Sequence, residues 1–267
     1  MPQDPGQRLQ KALAHLGLGS RRDVETWIRA GRLTVNGEAA ALGTRVRDTD
    51  QVRLDGRLVR RRPTGLQQVI LCHRSPGEGL DRRAGAATSD GRVSLFERLP
   101  HVAGRRFIAV SPMPHQDGGL ELVTSDGELA EKLQRAVRGL VAEFSVRIRG
   151  ELGDVQLQSV LGGALDRGTR LEVIGCSPSG GEGANRWYSL TARGASGKDV
   201  RQLFERAGTL VSRVLRTKLG SVALERTLAR GQFRKLEPEE LALLLSSEPR
   251  PLARRRAPVT ERRSSRP

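Results

Sequence analysis

An α+β fold in two parts is predicted by three observations. Two short stretches of helical spacing, each closed by a glycine, open the chain. Short β-like segments separated by Asn-Gly and Asp-Gly follow them directly. Beyond a break rich in arginine, proline and glycine, strand-like runs alternate with further helical stretches.

Gln7 to Leu16 sets Leu9, Leu13 and Leu16 on one helical face, and Gly17 stops it. Ser20 then offers an N-cap with Asp23 three residues on, ahead of a second apolar stripe of Val24, Trp27 and Ile28 that ends at Gly31. Leu33 to Val35, the region of Val46, and Val52 to Leu58 read as short strands, with turns at Asn36-Gly37 and Asp55-Gly56. Together these make a compact ααβ module, assigned to residues 1–62, with residues 60–65 (RRRPTG) as linker.

A second domain, residues 63–248, has strands expected at Val69 to Cys72, Phe107 to Val110, Leu120 to Thr124, Phe144 to Arg149, Arg170 to Ile174 and Trp187 to Thr191. Its helices are expected near Leu129 to Val137 and Asp199 to Ala207. The tail, residues 249–267, is rich in proline, arginine and serine, carries too little apolar surface to fold alone, and is expected to be disordered in isolation.

Charge narrows the function classes. The formal net charge is +16, and it sits at the two ends: residues 1–62 contribute +6 and residues 249–267 another +6. Such a distribution suits a polyanion gripped on either side of a working domain, with mere solubilisation as the alternative. Cys72 and Cys176 fit no zinc or redox spacing, so a reduced, cytoplasmic setting is expected. His15, His73, His101 and His115 show no metal-ligand spacing, and the SGGEGAN run at 179–185 lacks the lysine and hydroxyl of a nucleotide loop; no metal or cofactor is expected. No apolar run approaches the length of a membrane span.

The run QRLQKALAHLGLGSRRDVETWIRAGRLTVNG followed by LGTRV closely resembles the αL-type RNA-binding domain first named from ribosomal protein S-four. That resemblance implies phosphate contacts by Arg8, Lys11, Arg21, Arg22 and Arg32; Arg21 and Arg22 fall in the first turn of the second helix, where free backbone N–H groups favour an anion. A merely solvated helix face is the alternative, and Trp27 reads as core rather than as a platform for a base.

From Gln67 to about Leu245 the chain resembles the RsuA/RluB/RluE/RluF family of ribosomal-RNA pseudouridine synthases. The likeness rests on GRVSLFERLP at 91–100, GLELVTSDGELAEKL at 119–133, EFSVRIRG at 143–150, GEGANRWYSLTARG at 181–194, VRQLFERAGTLVSRVLRTKLG at 200–220 and GQFRKL at 231–236. It implies a central, mainly antiparallel sheet, ribosomal RNA as partner, no cofactor, and isomerisation of uridine through one essential Asp in a Gly-Arg-Leu-Asp motif, an aromatic ring against the base and a basic side chain beside the Asp. A monomer is expected.

Here the motif reads Ser111-Pro112-Met113-Pro114, so the family's Asp falls on Pro114, which offers no acid, base or nucleophile. Phe144 takes the place of the family's Tyr, and Arg201 the basic position. Two functions remain open: an RNA-binding protein that has lost the reaction, or an active synthase using a displaced carboxylate such as Asp117. Asp117 falls in the slot of a family Thr and needs a rebuilt loop to reach the sugar. A general RNA chaperone relying on the tail is a third reading. Asp126 reads as a turn former or helix cap and Glu121 as a solvent-facing strand residue. A buried Arg201 without an acid is costly, so either Asp117 turns toward it, or water or an RNA phosphate reaches it.

Overall fold

The computed structural model describes residues 6–59, 68–80, 94–100 and 106–246. The expected linker, the tail and His101 lie outside the described residues.

The first module runs β1 (Gln7–Arg8), α1 (Leu9–His15), α2 (Arg21–Arg29), β2 (Leu33–Val35), β3 (Glu38–Ala39), β4 (Arg45–Val46), β5 (Val52–Leu54) and β6 (Arg57–Leu58). Ser20 and Asp23 form a reciprocal capping box that starts α2: the Ser20 Oγ accepts from Asp23 N at 3.0 Å and Asp23 Oδ2 from Ser20 N at 2.7 Å. β3, β2, β5 and β6 make an antiparallel sheet in that order, and Asn36 and Asp55 adopt positive φ in its turns. Leu9, Leu13, Val24, Ile28 and Leu33 form the core, with Trp27 packed on its edge under the Arg32 guanidinium.

The second part contains β7 (Val69–Arg74), α3 (Leu95–Arg98), β8 (Ile108–Ala109), β9 (Gly118–Thr124), α4 (Gly127–Ala136), β10 (Val141–Arg149), α5 (Asp154–Gly162), β11 (Glu172–Pro178), β12 (Asn185–Arg193), α6 (Gly197–Arg206), β13 (Leu210–Leu219), β14 (Val222–Ala223), β15 (Phe233–Lys235) and α7 (Pro238–Ser246). The central sheet runs β11-β12-β10-β13-β9-β7-β15 and is antiparallel except where β13 meets β9. β10 alternates buried and partly exposed residues along its length, so Ala142, Phe144, Val146 and Ile148 face a core shared with Leu203 and Phe204 of α6.

The parallel β9–β13 pair is unusually close. Gly119 has φ +92°, and a Cβ there would stand 2.3 Å from the Arg216 carbonyl oxygen, so only glycine fits. This register sets Gly118 opposite Leu215 and leaves Asp117 at the mouth of β9 beside Val214. β13, α5, β15 and α7 are elements beyond those expected from sequence. Asp126 caps α4, accepting from Glu128 N and Leu129 N, as its turn chemistry predicts.

The two parts meet where α1 lies on α4. Lys11 Nζ stands 3.5 Å from Glu131 Oε2, and the His15 ring lies between Glu128 and Glu131 at 3.8 and 3.7 Å. Burial lowers the His15 pKa below its ordinary 6.5, against the pull of Glu128. A histidine whose folded pKa is depressed binds fewer protons folded than unfolded, so stability is complete above 6.5 and is lost as pH falls toward the folded value. The thermal midpoint of the wild type is therefore expected to drop below pH 6.5 more steeply than that of a His15→Gln variant; parallel melting curves of the two across that range would show that His15 does not titrate in this contact.

Candidate functional site

Pro114 sits on the loop between β8 and β9. Its carbonyl accepts from Asp117 N at 3.0 Å, closing a turn that aims the Asp117 side chain into the protein. There Asp117 is fully buried. Its Oδ2 accepts from Arg201 Nε at 3.2 Å, and its Oδ1 from Arg201 Nη2 at 2.5 Å and from Val214 N at 2.8 Å. Asp117 has thus turned to Arg201, and three donors from α6 and β13 hold it.

Arg201 completes the closure. Its Nη1 donates to the Val211 carbonyl at 2.8 Å and lies 3.5 Å from Glu205 one helical turn on. Burial pulls the Arg201 pKa down, but the hydrogen bond and charge of Asp117, joined by Glu205, outweigh it and leave it raised. The guanidinium arises from α6, whose start is fixed by a Ser196–Asp199 capping box.

A second charge cluster lies beside the first. Glu121, expected on the solvent face of its strand, is instead fully buried between two arginines. Arg74 Nε reaches its Oε1 at 3.1 Å, Arg216 Nη2 its Oε2 at 3.2 Å, and Met113 N donates to Oε1 at 2.7 Å. Burial pushes the Glu121 pKa up, against the charges of Arg216 and Arg74. The strand β9 is buried on both faces, so no position along it meets water and the expected solvent face does not exist.

The same arginines hold the loop from Ser111 to Pro114. Arg74 Nη2 donates to the carbonyls of Met113 at 2.8 Å and Pro114 at 2.7 Å; Arg216 Nη2 donates to that of Ser111 at 2.8 Å, and its Nη1 to the Ser111 hydroxyl at 3.1 Å. Prolines at 112 and 114 have no N–H of their own, so the loop is anchored by its carbonyls and by the N–H of Met113 on Glu121. Met113 and Pro114 also pack directly on Gly197 at the start of α6, where a Cβ would stand 2.5 Å from the Met113 sulfur.

Of the residues expected to act, Asp117 and Arg201 are together, while Phe144 is buried in the core with 1% exposure and offers no free ring face. Arg8, Arg21 and Arg22 are exposed on the first module. Lys11 is engaged by Glu131, and Arg32 by Asp55 in a two-bond pair, Nε to Oδ1 at 2.8 Å and Nη2 to Oδ2 at 2.5 Å. Among the described residues no group of three or more His, Cys, Asp or Glu is placed to hold a metal ion, and no helix is long and apolar enough to cross a membrane. Sequence reasoning missed Arg74, Glu121 and Arg216 as one unit. The signal was present only in Glu121, set among the apolar residues of its strand.

Comparison with known proteins agrees with this architecture. The S4 domain matches residues 7–60. The ribosomal large subunit pseudouridine synthase B of Escherichia coli K12 is 38% identical over 240 residues, covering 86% of this chain and 79% of that protein. This chain belongs to that synthase family. The synthase B of Pseudomonas aeruginosa is 37% identical over 251 residues, 91% of this chain but 64% of its own length, so this chain spans less than two thirds of that relative. A crystal structure of a pseudouridylate synthase superimposes with a TM-score of 0.57 at 18% identity, over 90% of this chain and all of that one, which shows the shared fold.

Within this family member, removing one side of the buried pair leaves a charge without a partner. Asp117→Ala is expected to lower stability by about 3–5 kcal/mol, read as a shift of the urea midpoint at unchanged slope. Asp117→Asn, which keeps an acceptor for Arg201 but not the charge, is expected to cost less; equal losses would show that the retained acceptor contributes nothing and that the whole effect lies in the lost charge.

Proposed function

We propose that this protein binds ribosomal RNA as a member of the synthase B family and does not isomerise uridine. One observation carries the reading: the carboxylate held by Arg201 is sealed from solvent with both oxygens bound, while the position of the family's essential Asp is a proline. An acid that is to attack or deprotonate a sugar must touch it, and catalysis tolerates misplacement of about 1 Å poorly. The buried Phe144 ring supports the same conclusion, since it gives the target base no surface to stack on.

RNA binding rests on the S4 domain and on the relatives, which are named as large-subunit pseudouridine synthases. In this reading Arg8, Arg21 and Arg22 contact phosphates; Lys11 and Arg32 do so only by leaving carboxylate partners. The domains divide at residues 62 and 248, and the tail adds nonspecific phosphate contacts. The chain acts in the cytoplasm as a monomer.

One observation favours the second reading, an active synthase working from Asp117: this acid does pair with Arg201, the basic residue of the family site. The turn from Pro114 to Asp117 would then have to open when RNA binds.

Pseudouridine mapping of large-subunit ribosomal RNA from cells with and without the gene separates the two. Identical maps are expected; a modification that disappears with the gene and returns with wild type but not with Asp117→Asn would overturn the silent site. For binding, Arg21→Ala with Arg22→Ala is expected to reduce the slope of log Kd against log salt by about 2, since each phosphate no longer neutralised takes away ~0.9. An unchanged slope would remove these arginines from the interface.

A further inference from the structure

We propose that the partly exposed face of β10, β12 and β13, on the opposite side of β10 from Phe144, is a second RNA-contact surface, on which Arg147 and Arg213 hold phosphates and Trp187 takes a base. The proposal deepens the RNA-binding reading above and rests on it.

Three side chains stand in one cross-strand row. Arg147 of β10 is paired directly with Trp187 of β12 on one side and with Arg213 of β13 on the other. All three are partly exposed. The Arg147 guanidinium lies 6.0 Å from the centre of the Trp187 ring, and Ser145 and Ser189 form the next row on the same face. Arg149 is exposed one step further along β10.

The charge on this face is unbalanced. The four strands β10 to β13 hold two acids, Glu143 and Glu172. Lys218 takes the first at 3.2 Å and Arg193 the second at 3.2 Å. Among the described residues Arg147 and Arg213 have no carboxylate partner, although directly opposed like charges on a sheet are mutually destabilising. Two guanidiniums set side by side against that repulsion suit a phosphodiester backbone, which supplies one negative charge per nucleotide and accepts their planar forks. An indole already stacked with a guanidinium extends the site to an unpaired base, since every base has a face to add to the stack. An acidic protein would use the charges but leave the ring without a role.

The test uses the full chain and a fluorescein-labelled RNA hairpin with an unpaired loop, with anisotropy followed across a potassium chloride series. Arg147→Gln with Arg213→Gln is expected to lower the slope of log Kd against log salt by about 2, while lysine at both positions keeps it. The Gln variant is expected to melt no lower than wild type, because the substitution relieves a repulsion. In a Trp27→Phe background, Trp187 emission is expected to fall on saturation with the hairpin. A wild-type slope in the Gln variant, or Trp187 emission unmoved by saturating RNA, overturns the proposal, as does poly-glutamate displacing the hairpin from this face as readily as unlabelled RNA does. If the hairpin binds and Arg21→Ala with Arg22→Ala alone reduces the slope, only this surface fails; if wild type does not bind RNA, the functional reading fails with it.

Discussion

The arrangement of the candidate site depends on keeping two groups of opposite charges out of water. Asp117 with Arg201, and Glu121 with Arg74 and Arg216, are neighbouring clusters in which nearly every donor and acceptor finds a protein partner. Such burial is stabilising only while each partner stays in place, because an isolated charge in this environment carries a penalty of several kcal/mol. The loop from Ser111 to Pro114 is consequently held from two sides: from within by its carbonyls, and from α6 by contact with Gly197.

The loop from Ser111 to Pro114 and Asp117 form one connected unit. The proline at 114 has neither an acid nor a backbone donor to offer. Glu121 and the two buried arginines supply hydrogen bonds to the loop, and Asp117 occupies the place beside Arg201. The result is a fold of the synthase family whose polar centre is satisfied internally.

Much of the fold was legible in the sequence because it follows from local rules. The capping box at Ser20 and the cap at Asp126 appear where hydroxyl and carboxylate precede apolar stripes, and β10 follows its alternation over nine residues. β13 was not anticipated: its inward row contains Arg216 and its outward row Leu215, so a buried arginine inverts the usual polar pattern. Glu121 misled for the same reason, since its partners lie 47 and 95 residues away. The pairing of Asp117 with Arg201 spans 84 residues, and spacing along the chain could name both residues without showing that each encloses the other.

The parallel contact between β9 and β13 has a consequence for how this protein reaches its native state. Asp117 and Val214 are joined across 97 residues, and the central sheet cannot close until both have left the ribosome. Folding that waits on so distant a partner is slow, since the entropy of closing the loop is lost before the contacts reward it. During that interval β9 presents an apolar edge without its eventual neighbour, and such an unpaired edge is where a partly folded chain associates with others.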